Sequence, residues 1–156
     1  MTKNNSPVFL STQEERPVEL PLDGSRVELL RLRIPEHLYG RQTKLDGFFQ
    51  SNFFVVGMED NIEPVQLSYK YEIAYQIMLE SAEANYSPAS SILLDTVSGV
   101  QQPVRFDVEH NTNPNFTVSL PCVSGDLLLM ASVVETQGGV AGAFVNTRSM
   151  NALLIN

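Results

Sequence analysis

The stretch 67–79, LSYKYEIAYQIML, constrains the fold more than any other feature of the chain. Leu67, Tyr69, Tyr71, Ile73, Tyr75, Ile77 and Leu79 occupy every second position. Ser68, Lys70, Glu72, Ala74, Gln76 and Met78 fill the alternate ones. A period of two places all seven large apolar residues on one face of a strand, whereas a helix would scatter the tyrosines around its circumference. The tail of the run, MLESAEAN, has helical propensity, so a helical turn is expected to begin near Glu80.

The rest of the chain reads the same way, as short strands separated by Gly, Pro, Asn and Asp. Val18, Leu20 and Leu22 alternate up to an Asp23-Gly24 turn. In RVELLRLRI, Val27 and Leu29 share one face and Leu30, Leu32 and Ile34 the other, a phase slip that predicts a β-bulge. TKLDGFFQ and NFFVVG form a pair of aromatic-rich runs suited to core-facing strand positions. Val104, Phe106 and Val108, then Phe116, Val118 and Leu120, alternate on either side of a turn at Asn111-Thr112-Asn113-Pro114. DLLLMASVVE is apolar on both faces through Met130, as expected of a central or interface-covered strand. Gly138-Gly139 marks a loop or bulge, and GAFVNTRSMNALLIN supplies one closing strand or two short ones. The expected fold is an all-β jelly-roll sandwich of about eight to ten antiparallel strands with little helix.

A chain of 156 residues with 43% apolar content is the size of one domain and can bury a core without a metal or disulfide. The formal charge of -8 argues against nucleic acid as a partner, since that affinity comes from Lys and Arg displacing counterions. No stretch has the length of a membrane span, and the opening MTKNNSPVFLSTQEERP lacks the apolar run of a signal peptide. Cytosolic synthesis is the expectation. Cys122 is the single cysteine, which excludes an intramolecular disulfide. Between Pro121 and Val123 it reads as a small core residue, with an intermolecular bridge or metal contact as the alternatives.

No catalytic constellation or cofactor site emerges. His37 and His110 lie in separate turn-like contexts, read as exposed, and cannot supply the closely spaced histidines of a cupin-type metal site. Cys122 lacks the electropositive setting that activates a thiol. Asp46, Asp60, Asp95, Asp107 and Asp126 sit singly at turns or strand ends, where Asp bonds the backbone; convergence of two or three on calcium is the alternative. Gly138, Gly139 and Gly142 precede no Lys-Ser/Thr pair and read as turn glycines, not a phosphate cradle. Tyr69, Tyr71 and Tyr75 are expected in the core, a carbohydrate-stacking platform being the competing use.

The feature that asks for a functional account is residues 1–16, set off at Pro17 from the domain proper, 17–156. Val8, Phe9 and Leu10 form an apolar island in a polar segment bracketed by Pro7 and Pro17, and Val8 and Leu10 alternate as a donated strand would. Fifteen extended residues reach roughly 50 Å, enough to cross to a neighbouring copy. A disordered tail is the alternative.

With the polar arm, VELPLDGSRVELLRLRI, TKLDGFFQ, the tyrosine-rich strand and the closing hydrophobic strands, the chain resembles the jelly-roll proteins of bacterial spore surfaces over residues 17–156. These are the tumour-necrosis-factor-like domains of exosporium filaments and the fibre subunits of endospore appendages. The collagen-like stalk of the former and the arm cysteines that cross-link some of the latter are absent. The resemblance implies a structural subunit at a spore or cell surface, partnered by copies of itself, with other surface proteins or glycans as further partners. Joining would occur by strand addition through Val8, Phe9 and Leu10. The alternatives are a trimeric carbohydrate- or receptor-binding module using loops such as 87–91 or 111–115, and a viral or phage coat or decoration protein.

Overall fold

In the computed structural model, which describes residues 6–57, 67–101 and 107–156, the alternating run becomes one 15-residue strand within an all-β sandwich. Eleven strands form among the described residues: β1 (Val8–Glu14), β2 (Val18–Glu19), β3 (Val27–Leu32), β4 (Gln42–Val55), β5 (Leu67–Ser81), β6 (Tyr86–Pro88), β7 (Leu93–Gln101), β8 (Val108–Thr112), β9 (Asn115–Leu120), β10 (Gly125–Gln137) and β11 (Val140–Ile155). A single 3₁₀ turn at Glu36–Leu38 follows Pro35, and no helix among the described residues is long and apolar enough to cross a membrane.

All the pairings are antiparallel. One sheet has the order β1-β11-β4-β8, with β2 also on β11 and β9 also on β4. The other runs β3-β10-β5-β6, with β7 also on β5. Three pairs of strands are collinear. β1 and β2 lie end to end along β11, β8 and β9 along β4, and β6 and β7 along β5. The strand count exceeds eight to ten because these edge ribbons are broken, whereas the eight ribbons they compose make a jelly roll. Asn113-Pro114 breaks such a ribbon and does not reverse the chain, since β8 and β9 continue in one direction along β4. TKLDGFFQ and NFFVVG are likewise one continuous strand, β4.

The core lies between the sheets. Tyr71, Ile73 and Ile77 of β5 face Leu45, Phe49 and Phe53 of β4, all essentially without exposure. Phe53 stacks on Tyr71 with ring centroids 4.5 Å apart, and Phe49 meets Tyr75 edge-on at 5.1 Å. Tyr71 also shares a hydrogen bond of 2.8 Å with Ser51 across the core. The tyrosine face is therefore core, and burial pushes the Tyr71 hydroxyl up to about 12. The predicted bulge is present. Leu29 and Leu30 are both buried, and the β3–β10 register slips opposite them. Gly47 is required by close approach, since a Cβ there would stand 2.5 Å from the Phe116 ring and 2.7 Å from the Ser149 carbonyl oxygen. Gly138 turns the β10–β11 hairpin with φ +74.

Three further expectations are corrected. No helical turn forms near Glu80; β5 runs through Ser81 and returns as β6 through a tight turn in which Ala84 takes φ 59. Pairing of Glu80 with Tyr86 and Asp126 outweighs local helical propensity. Cys122 is exposed, because β9 ends at Leu120 and the buried position of the connection falls to Val123. His110 is on strand β8, half-buried, and not in an exposed turn. Val104, Phe106 and Asp60 lie outside the described residues.

Candidate functional site

β1, which carries Val8, Phe9 and Leu10, is the outermost strand of its sheet and, among the described residues, pairs along one edge only, with β11 of the same chain. Seven residue pairs hold it, from Val8 opposite Leu154 to Glu14 opposite Arg148. The alternation read from the sequence sets its orientation. Val8 and Leu10 are half-buried and pack against the core, while Phe9 remains 66% exposed opposite the exposed Leu153.

Both ends of β1 are fastened by an arginine. Arg41 donates to the carbonyl oxygen of Ser6 at 3.1 Å. At the other end stands Arg148, which sequence reasoning missed. Its guanidinium, buried to 4% exposure, donates through Nε to the Leu29 carbonyl at 2.5 Å. Through one terminal nitrogen it donates to the carbonyls of Arg16 at 2.6 Å and Asn146 at 2.8 Å. One side chain thus binds β3, the link after β1, and β11 where the β4–β11 register slips between Val145 and Arg148. Desolvation lowers the guanidinium's proton affinity, and Glu14 opposes this. A cation inside an apolar strand pattern was the available signal. The Glu14 carboxylate in turn accepts from the amides of Glu15 and Arg16, which holds it below the usual carboxylate range and shapes the link to β2.

The remaining chemistry-bearing residues are dispersed. His37 is exposed on the 3₁₀ turn. The His110 ring lies 5.0 Å from Phe53 and 4.6 Å from Tyr69, with Nε2 buried and unpartnered, as is the hydroxyl of Thr112 on the same strand. Cys122 lines a shallow cavity of about 210 Å³ with Leu79, Pro88, Ala89 and Leu120 among its walls and no histidine. Among the described residues no three metal-ligating side chains gather. The carboxylates have local duties: Asp46 accepts from Thr117, Asp107 from the Gly57 amide, and Asp126 from Arg31 and the Ile34 amide.

Arg31 also pairs with Glu28 and Glu80 on the outer side of the five-stranded sheet; these bonds raise its proton affinity and hold Glu80 below the usual carboxylate range. The segments considered as recognition loops are both breaks in edge ribbons. In 87–91, the Ala89 amide donates to the Ile77 carbonyl and the Ser90 hydroxyl accepts from the Ile77 amide, which ties the segment to β5. Within 111–115, Asn111 and Thr112 pair with β4 and Pro114 is buried.

No protein-family model matches the chain, and no curated protein matches it in sequence. Among solved structures, a chain of infectious bursal disease virus, Gx strain, is similar over 96% of this chain and 32% of its own, with 9% identity and a TM-score of 0.50. The VP2 subviral particle of that virus matches 96% of this chain and 33% of its own at 9% identity and TM-score 0.43. Eiger TNF from S. frugiperda matches 96% and 92% at 9% identity, also with TM-score 0.43. The chain thus spans about a third of the viral chains it matches. At such identity the likeness is one of fold.

Proposed function

We propose that this chain is a structural subunit that assembles with copies of itself into a surface fibre or coat, joined by exchange of β1 between neighbours. The observation that supports the reading is β1 itself, an edge strand held along β11 and connected to β2 through the exposed Glu15, Arg16 and Pro17. Exchange re-forms the same seven residue pairs and the same Arg148 bonds in a neighbouring copy, so its cost lies mainly in the link. Where each copy passes β1 to the next without closing a ring, the product is a filament. A spore or cell surface is the setting we assign to it, after synthesis in the cytosol.

A second reading, a virus or phage coat subunit, draws support from the fold shared with the infectious bursal disease virus chain. Both readings place the chain in a repeating assembly.

The test is a cross-link across the β1–β11 pair. Ser11 and Asn151 are register partners outside the core, and Ser11→Cys with Asn151→Cys, in a Cys122→Ser background, reports which chain supplies β1. Exchange gives a ladder of covalently linked subunits on a denaturing gel after mild oxidation. Cross-linking only within single chains, at every concentration up to that at which particles form, refutes it.

A further inference from the structure

The outer face of the five-stranded sheet is the exposed surface that strand exchange leaves unused. Its outward positions carry Met130, Ser132 and Val134 on β10 and Ala74 and Gln76 on β5, with Ile92 and Leu94 alongside at β7. Ile92 is 54% exposed, Leu94 62% and Val134 48%. Together they line a groove of about 470 Å³. Ala74 and Ser132 are cross-strand partners, and their small side chains leave the floor open between larger rims. On β10, Met130 and Val134 point into this groove and Leu128, buried to 1% exposure, also lies outside the core that Leu127, Leu129 and Val133 enter.

Two charges flank the groove on opposite sides. Arg26 precedes Val27, the residue of β3 that pairs with Ala131, and so stands on the β3 side of β10. Among the described residues it has no ion-pair or hydrogen-bond partner. Glu72 stands on β5, across β10 from Arg26; it accepts a 2.7 Å hydrogen bond from Thr96 and joins no ion pair among the described residues. An acidic chain of net charge -8 repels its own copies over most approaches, but the groove is lined mostly by apolar and small side chains, with Arg26 and Glu72 as its charged lining residues.

We infer that this face is a homotypic interface, in which two copies pack their five-stranded sheets together about a two-fold axis that lies between them, parallel to the strands and above the Ala74–Ser132 floor. An axis along the strands exchanges the β3 and β7 sides of the groove, which carries Arg26 of each copy over β7 of the other, one strand from Glu72 on β5. The same operation carries each copy's protruding Ile92 and Leu94 to the β3 side of the other's groove. Charge is thus self-complementary, as an isologous contact requires, and apolar sheet faces pack at about 10 Å. The inference rests on the self-association proposed above but uses the opposite sheet from β1.

The experiment is sedimentation of the full chain, in the Cys122→Ser background, with β1 locked in its own chain by the oxidised Ser11→Cys/Asn151→Cys link, so that only this face can associate. A dimer is expected, weakened at least about tenfold by Leu94→Lys, an exposed position where folding is unaffected. Arg26→Glu and Glu72→Arg each oppose like charges twice in a homodimer and abolish it. Mixed in equal amounts, the two variants restore it, because every cross-interface pair is then opposite in sign. A locked chain that stays monomeric, dimerisation unaffected by Leu94→Lys, or a mixture no better than its components overturns the inference. The cross-link ladder scores β1 exchange independently, so either idea can fail while the other stands.

Discussion

Arg148 offers the sharpest test of how the edge strand is held. Replacing it with methionine keeps much of the side chain's length and apolar stem but removes donors from the carbonyls of Leu29, Arg16 and Asn146. Arg16 is exposed and Asn146 half-buried, so water can replace the donor at those two carbonyls at small cost. Leu29 is 3% exposed, and its carbonyl loses a charge-assisted bond with no solvent to substitute. Such a loss costs ~1–3 kcal/mol. Relief of the desolvated cation works the other way, since no carboxylate lies within ion-pair distance among the described residues.

The net expectation for Arg148→Met is about 2 kcal/mol of destabilisation, and for Arg148→Ala about 3–5 kcal/mol, because alanine also leaves a cavity. Denaturant unfolding measures the total. Hydrogen exchange localises it, with amides across Val8–Glu14 losing protection before those of β5 and β10. If Arg148→Met unfolds within about 0.5 kcal/mol of wild type and protection on β1 is unchanged, the side chain does not pin the strand.

Two further predictions concern the core and the outer charges. Tyr71→Phe strands the buried Ser51 hydroxyl and should cost ~1–2 kcal/mol; Ser51→Ala combined with it should cost less than the sum of the single changes, a coupling read from a double-mutant unfolding cycle. Glu80 and Glu135 are held below their ordinary value of 4.5 by Arg31 and Lys70 respectively, so their contribution is complete above that pH and is lost as pH falls through the lower folded values. Thermal melts between pH 6 and pH 2 should therefore fall more gently for Arg31→Gln than for wild type; parallel curves would show that this pair carries no pH-linked stability.

Periodicity made the architecture legible where each strand has one wet and one dry face. Tyr71, Ile73 and Ile77 point inward because any other register of β5 would bury Lys70 and Glu72, and the phase slip at Leu29-Leu30 announces its bulge for the same reason. Alternation also set which residues of β1 face the core, since Val8, Leu10 and Thr12 can pack inward only if Phe9 points out. Local pattern was silent on which strand would receive β1, because hydrogen bonding along an edge is a backbone property that side chains scarcely encode.

Tertiary structure alone decided what depends on residues far apart in the chain. Arg148 finds carbonyls at Leu29 and Arg16, and no window of sequence around it shows that they converge there. Cys122 and His110 changed places with respect to solvent because strand ends are fixed by partners, β9 closing at Leu120 against Thr43 and β8 carrying His110 against Phe53. The chain near Glu80 stayed extended because pairing with Tyr86 and Asp126 supplied backbone partners on both sides, which one local helical turn could not match. What the amino-acid sequence determined by itself was the period of its apolar residues, and hence the sandwich; which faces, edges and ends meet was settled by long-range pairing.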